Sequence, residues 1–368
     1  MKTITTKFND LTLSYPIEKL ADPNEVLFLD IETTGLTAKN SNIYLIGCAF
    51  FKDNMWQSVQ WFAENYEEEL SILTSFFTFM KDYKFLIHYN GNKFDIPYLL
   101  QKCEQFSLDY SFDNIAGIDI YRRIVPYKDI LGLIDLKQKT IEDFLEISRE
   151  DEYSGRELIS IYHNYVCNPN DNDLNNLMLH NEEDLKGMLE ILSMLSYSDL
   201  FNNPIRVMKA QANYFNNESQ KRCQEIVMKL RLESPLPKQT SFRALGCYFS
   251  GSGVDCSLKV PLFEEELKYY YSNYKNYYYL PAEDIAMHKS VATFVDKAHR
   301  VQASPTNCYT RKKSLFLPEW DVLFTPFFKR DYKAKEIFFE LTDDFKKSRA
   351  GFAMYAEHVL TAMLQYYS

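Results

Sequence analysis

Three features are missing from this sequence of 368 residues. It has no paired cysteine motif: Cys48, Cys103, Cys167, Cys223, Cys247, Cys256 and Cys308 are odd in number, scattered, and never arranged as C-x-x-C. That excludes a disulfide frame and a cysteine zinc site, and it leads us to expect reduced, mostly buried thiols in a cytoplasmic protein. It has no apolar run of 18 residues or more, so no membrane-spanning helix and no membrane partner are expected. Its first residues, Met1 to Lys7, lack the apolar core of a signal peptide. An internal repeat is absent as well.

What is present is ordinary in bulk and uneven in distribution. The chain is 46% hydrophobic and 25% charged, with 15% aromatics, as a globular protein requires. The length is large for one core and implies two domains, at 1–200 and 201–368. The formal net charge of −10 conceals a split. Residues 1–200 carry 17 basic and 33 acidic side chains, and the remainder carry 24 and 18. The second part is thus net basic, which suits a polyanion partner such as nucleic acid but is also compatible with a lysine-rich surface. An acidic first part meets a polyanion only where bound cations offset its charge.

Residues 1–25 read as a lead-in, closed by the turn Asp22-Pro23-Asn24. Strands are expected at Val26–Ile31, Ile43–Phe50, Met55–Phe62, Phe85–Tyr89 and Ile115–Ile120. A helix opens at Glu67-Glu68-Glu69 and continues with Leu70, Leu73, Phe76, Phe77 and Met80 at helical spacing. Another follows Asn90-Gly91-Asn92, and three more cover about 136–146, 155–166 and 171–197. The order predicts an α/β domain with a mixed five-stranded sheet flanked by helices. After the break at Asn202-Asn203-Pro204 we expect a helix to about Leu230, then a β-rich accessory domain with short runs at 241–250, 277–281, 290–295 and 314–318. Asp343–Tyr367 reads as a closing amphipathic helix.

The chemistry is concentrated in the first domain. Val26 to Leu29 run into Asp30, Glu32 and a Thr33-Thr34-Gly35 turn. Residues two apart on a strand face the same side, so Asp30 and Glu32 are neighbours. Two adjacent carboxylates repel, and a divalent cation relieves them. Asp95 opens a helix directly after the strand that ends at Tyr89-Asn90-Gly91. His180 and Asp184 are four apart on a long helix and share a face, bordered by Leu177 and Met188. Gly187 is expected to leave room there for a ligand. Glu182 and Glu183 point elsewhere and are expected to be solvated, and Asp119 is expected at a surface or turn, with an acid supporting the site from behind as the alternative. Thr33 suits a turn or contact with a terminal nucleotide, and Asn90 and Phe94 suit structural support or substrate packing. In the second domain, Arg311, Lys312 and Lys313 beside Tyr309 are the best phosphate-contact candidates. Tyr269 to Tyr279 suit a β-domain core or base stacking.

Taken together, these residues resemble the DEDD (DnaQ-like) 3′–5′ exonuclease superfamily, whose fold is RNase H-like. Phe28-Leu29-Asp30-Ile31-Glu32-Thr33-Thr34-Gly35-Leu36 is similar to its first motif, Asn90-x-x-x-Phe94-Asp95 to its second, and the helix around Asp184 to its third. Ile118-Asp119-Ile120-Tyr121, Leu136-Lys137-x-x-Thr140-Ile141-Glu142 and the Arg149–Leu158 segment narrow the resemblance to the YprB-type ribonuclease-H-like proteins. It covers about residues 24–198. In the superfamily a His precedes the last Asp by five residues and a Tyr by four; here His180 has the Tyr spacing.

The resemblance implies a phosphodiester hydrolase that removes nucleotides from a 3′ end with two ions of Mg²⁺ or Mn²⁺. Asp30, Glu32, Asp95 and Asp184 would hold the metals and His180 would activate water. The partner would be DNA or RNA, and no obligate protein partner is implied. A catalytically weak binding or scaffold protein of the same fold, and a structure-directed endonuclease, are the alternative readings.

Overall fold

A computed structural model describes residues 1–151, 153–216, 220 and 222–367. The chain divides into two compact units. One comprises Met1–Leu200 with Ser234–Lys238, and the other Phe201–Glu233 with Gln239–Ser368.

The first unit is built on β1 (Lys2–Lys7), β2 (Val26–Thr33), β3 (Ile43–Lys52), β4 (Met55–Phe62), β5 (Phe85–His88) and β6 (Ala116–Asp119). They form a six-stranded mixed sheet in the order β1-β4-β3-β2-β5-β6. The extra strand comes from the presumed lead-in. Lys2–Lys7 is threonine-rich and mostly exposed, so it carries no core pattern, yet it pairs antiparallel along the edge of β4. β2 lies at the centre, antiparallel to β3 and parallel to β5. Val26 to Leu29 are buried without alternation because both faces of the sheet are covered. Against one face pack α1 (Glu69–Met80) and α2 (Asp95–Gln105), through Ile72, Phe76, Phe77, Tyr98 and Leu99. On the other, Tyr44 and Phe62 meet Leu158, Tyr162, Leu177 and Met178. These come from α5 (Gly155–Cys167) and α6 (Asp171–Glu190). The shorter helices α3 (Ile120–Ile124), α4 (Gln138–Leu145) and α7 (Leu195–Asn202) complete the set. Glu69, expected merely to charge a helix start, is buried. It accepts from the Ile43 amide at 2.7 Å and pairs with Lys102 at 2.9 Å.

The second unit begins with strands where a helix was expected. β7 (Arg206–Asn216) and β8 (Arg222–Ala244) pair antiparallel from Arg206↔Arg231 to Asn216↔Arg222; residues 217–219 and 221 lie outside the described residues. Lys, Met, Ala and Gln in this stretch favour helix intrinsically, but a long hairpin ladder overrides so weak a preference. The remaining strands are β9 (Cys247–Tyr270), β10 (Tyr277–Leu280), β11 (Ile285–His288), β12 (Val301–Gln302), β13 (Tyr309–Glu319), β14 (Phe327–Phe328) and β15 (Ile337–Glu340). One sheet runs β14-β15-β13-β9-β8-β7, and a small one runs β11-β10-β12. The run at 290–295 is not a strand: it lies in and just after α8 (Lys289–Ala292). The closing helix is two: α9 (Asp343–Lys347) and α10 (Arg349–Tyr367), separated where Ser348 is extended. Tyr271, Tyr277 and Tyr279 pack around Ala286, Ala303 and Cys308. No helix among the described residues is long and apolar enough to cross a membrane.

Candidate active site

One cavity of about 540 Å³ gathers Asp30, Glu32, Asn90, Phe94, Asp95, His180 and Asp184, together with Tyr89, Tyr121, Lys137 and Gln138. The four acids arrive by three routes. Asp30 and Glu32 leave the buried part of β2 just before a register shift between Glu32 and Thr33; such bulges re-aim side chains at the ends of strands. Asp95 begins α2 after Asn90 turns the chain with φ of 59°. That turn is held from behind: the Asn90 amide donates to Asp119 Oδ1 at 3.0 Å, and the Gly91 amide donates to His88 Nδ1 at 3.1 Å. Asp119 is therefore neither a surface nor a solvated turn residue. It is buried and shapes the loop that delivers Asp95.

α6 supplies the remaining groups. His180 Nε2 lies 3.4 Å from Asp184 Oδ2 and 3.6 Å from Glu32 Oε1. Glu32, His180 and Asp184 each offer a ligand atom within 4.8 Å of the others, a set able to hold a metal ion. A side chain missed in the sequence orders Asp30. Asn181 Nδ2 donates to Asp30 Oδ2 at 2.8 Å, while its own oxygen accepts from Gln60 Nε2 at 2.9 Å. Asn181 is fully buried. It falls on the Leu177–Leu185 stripe at i+4 spacing, so a polar residue on an apolar face was the clue available. Gly47, opposite Asp30 on β3, is required there because a Cβ would collide with the Asn181 side chain. Gly187 proves to leave no room for a ligand: the space beside it is filled by Glu142, whose Oε1 a Cβ would strike.

Burial, more than mutual repulsion, shifts these acids. Desolvation raises Asp30 well above the ordinary carboxylate range, with Asp184, Glu32 and Asp95 adding to it. Burial lifts Glu32 to about 7 against the opposing pull of His180. It lifts Asp95 to about 7 despite hydrogen bonds from backbone amides, including that of Ile31. Burial alone would lower His180, but Glu32, Asp184 and Asp151 together raise it. Buried oxygen donors held close and reluctant to ionise fit a hard divalent cation, which would restore their charged forms.

Two further groups lie in the Arg149–Leu158 segment, to which the sequence reading gave no role at the site. Arg149 Nη1 lies 2.7 Å from Asp184 Oδ1 and 3.0 Å from Glu142 Oε2. Asp151 Oδ2 lies 2.6 Å from His180 Nδ1. Both belong to a loop between α4 and α5 that has no periodic pattern to announce it. Glu183, expected to be solvated, accepts the amides of Glu150 and Asp151 at 2.8 Å each.

Not every candidate reaches the cavity. Thr33 donates to the Gly35 carbonyl at 2.9 Å and closes its own turn. Arg311, Lys312 and Lys313 lie on β13 in the second unit. Arg311 pairs with Glu266 at 3.1 Å and Lys312 with Glu340 at 2.6 Å, whereas Lys313 is exposed.

Residues 27–196, just under half of the chain, match the model of the RNase_H superfamily. With the central mixed sheet and its flanking helices, they form an RNase H-like domain. No curated protein matches the chain. Among solved structures, a family B DNA polymerase from Pyrobaculum calidifontis is similar at 17% identity and a TM-score of 0.40, over 49% of this chain and 25% of that one. The zinc-bound complex of E. coli ExoI with single-stranded DNA is similar at 11% identity and a TM-score of 0.28, over 57% of this chain and 55% of that one. E. coli exonuclease I with a dA16 oligonucleotide is similar at the same identity, score and coverages. The chain thus spans a quarter of the polymerase and about half of the exonuclease.

Proposed function

We propose that the chain is a metal-dependent nuclease that hydrolyses phosphodiester bonds of DNA or RNA, acting as a 3′–5′ exonuclease. The observation that carries this is the convergence of Asp30, Glu32, Asp95 and Asp184, from one strand and two helices, on a single cavity with His180 between two of them. In this reading residues 1–200 form the catalytic domain and 201–368 an accessory domain that grips the substrate.

The four carboxylates would hold two Mg²⁺ or Mn²⁺ ions, which would supply charge stabilisation at the scissile phosphate. Asn181 holds Asp30 in one rotamer. His180 Nε2 faces the acid cluster, where it orients the attacking water or accepts its proton. Tyr121, Phe94 and Asn90 line the approach, with Lys93 5.8 Å from the centre of the Tyr121 ring. Aromatic faces beside cations suit stacked bases and their phosphates. Thr33 contributes through its turn, and Arg311, Lys312 and Lys313 contact phosphate.

Strands of DNA and RNA labelled at either end, incubated with Mg²⁺, Mn²⁺ or EDTA, test this. Mononucleotides should appear from the 3′ end, and Asp30→Ala should reduce the rate by on the order of a thousandfold or more. Activity indifferent to EDTA and to Asp30→Ala would sink the proposal.

A further inference from the structure

We propose that Asp151 is a positioning residue for this site, holding the His180 ring in the tautomer that carries its hydrogen on Nδ1 and leaves Nε2 as the acceptor facing Glu32 and Asp184. The inference rests on the nuclease reading for its consequence, but not for its geometry. A carboxylate can only accept, so the 2.6 Å contact between Asp151 Oδ2 and His180 Nδ1 requires the hydrogen to lie on Nδ1. The bond made by one ring nitrogen sets the state of the other. A neutral histidine free of such a partner favours the opposite tautomer, which would turn an N–H toward the two acids and leave nothing to accept a proton from water.

The loop is built to keep Asp151 in place. Its carboxylate is buried, and Oδ1 is occupied by the Tyr153 amide at 3.1 Å, so the group cannot turn away. Its backbone is clamped by Glu183, whose two oxygens accept the Glu150 and Asp151 amides. Arg149 fastens the same loop to Asp184 at 2.7 Å and reaches to 3.6 Å from Asp151 Oδ2. His180, Glu183 and Asp184 all project from α6, so the helix that presents the imidazole also anchors the acid that orients it. A partner of this kind typically contributes about 10–100-fold to activity without touching substrate.

The test uses the full chain labelled with ¹⁵N-histidine, at a pH that leaves the ring neutral, with His180→Gln to assign the signal. Long-range ¹H–¹⁵N correlation should show His180 with a protonated Nδ1 and a bare Nε2. Asp151→Asn should shift the ring toward the Nε2-protonated form and lower kcat about 10–100-fold with KM changed less than about twofold. Glu183→Gln should give a smaller loss of the same kind. A wild-type ring protonated on Nε2, or an Asp151→Asn protein whose tautomer and kcat are both unchanged, would overturn the assignment. If Asp151→Asn does not fold, the wild-type tautomer and Glu183→Gln decide it. Failure of the wild-type protein to cut any strand would refute the nuclease reading, while the tautomer would still decide for or against Asp151.

Discussion

The two units treat charge in opposite ways. In the first, acids are drawn together and at least half-buried: Asp30, Glu32 and Asp95 are all pushed above the usual carboxylate range by desolvation. In the second, charges are spread along strands and matched across them. Arg311 meets Glu266, Lys312 meets Glu340, and Arg330 pairs with Glu265 at 2.9 Å and with Glu336. The comparison teaches that net charge is a poor guide to where binding occurs. The acidic unit contains the arrangement able to hold a cation, because like charges held in a low-dielectric pocket are costly. The basic unit pairs several of its cations, Arg311, Lys312 and Arg330 among them, with acids of its own, and exposed pairs of that sort contribute only about 0–1 kcal/mol each.

The largest expected effect is metal-dependent stability. Burial raises Glu32 from near 4.5 to about 7 and also lifts Asp95 to about 7. The folded state then retains protons that the unfolded chain has released, so stability is fully present below the unfolded values and is lost as pH rises through about 7. His180, raised as well, acts in the same direction. In EDTA the melting temperature should fall between pH 5.5 and 8. Mg²⁺ at a hundred times its dissociation constant should restore about 2.7 kcal/mol at pH 8 and less at pH 5.5. Calorimetry showing no difference between Mg²⁺ and EDTA at pH 8 would remove the contrast between the units.

Next in size is Gly47→Ala. The added methyl strikes Asn181, which must move and release Asp30. Overpacking of this kind costs about 1–3 kcal/mol, measurable by urea unfolding, and should lower kcat because the leading acid loses its rotamer. A variant as stable and active as wild type would show that Asn181 does not order Asp30.

The smallest effect is expected in the second unit. Replacing Arg311, Lys312 and Lys313 together by Ala should weaken strand binding less than tenfold. The slope of log affinity against log salt should fall by about 1, because only Lys313 is exposed without an ion pair among the described residues. A fall of about 3 would mean that the glutamate pairs open on binding, and the two units would then be more alike than their static charges imply.

How legible each region was in the sequence follows from how far apart its determinants lie. Asp30 and Glu32 were readable because strand, acid pair and turn occupy one short stretch. Asp95 and Asp184 followed from a strand–helix junction and a helical pair, both local patterns. The edge strand at Lys2–Lys7 was not, since its residues are mostly exposed and only the neighbouring Met55–Phe62 strand makes it a strand. The helix expected up to about Leu230 failed for a related reason: propensity is local and weak, whereas the hairpin's ladder is collective. Glu183 was misjudged as solvated, and Asp119 as a surface or turn residue, because nothing in their own neighbourhoods shows that backbone amides distant in sequence will come to meet them.

By itself, the sequence determined the α/β plan of the first domain, because periodicity and residue type act over a few neighbours; the grouping of its acids came from the order of three motifs that resemble a known superfamily. Only the tertiary structure decided how those acids are held. Asn181 beneath Asp30, Glu142 in the space beside Gly187, and Asp151 behind His180 are all pairings across 29 residues or more of chain. Such pairings arise when packing brings buried polar groups within reach of the partners they need, and no local pattern records them.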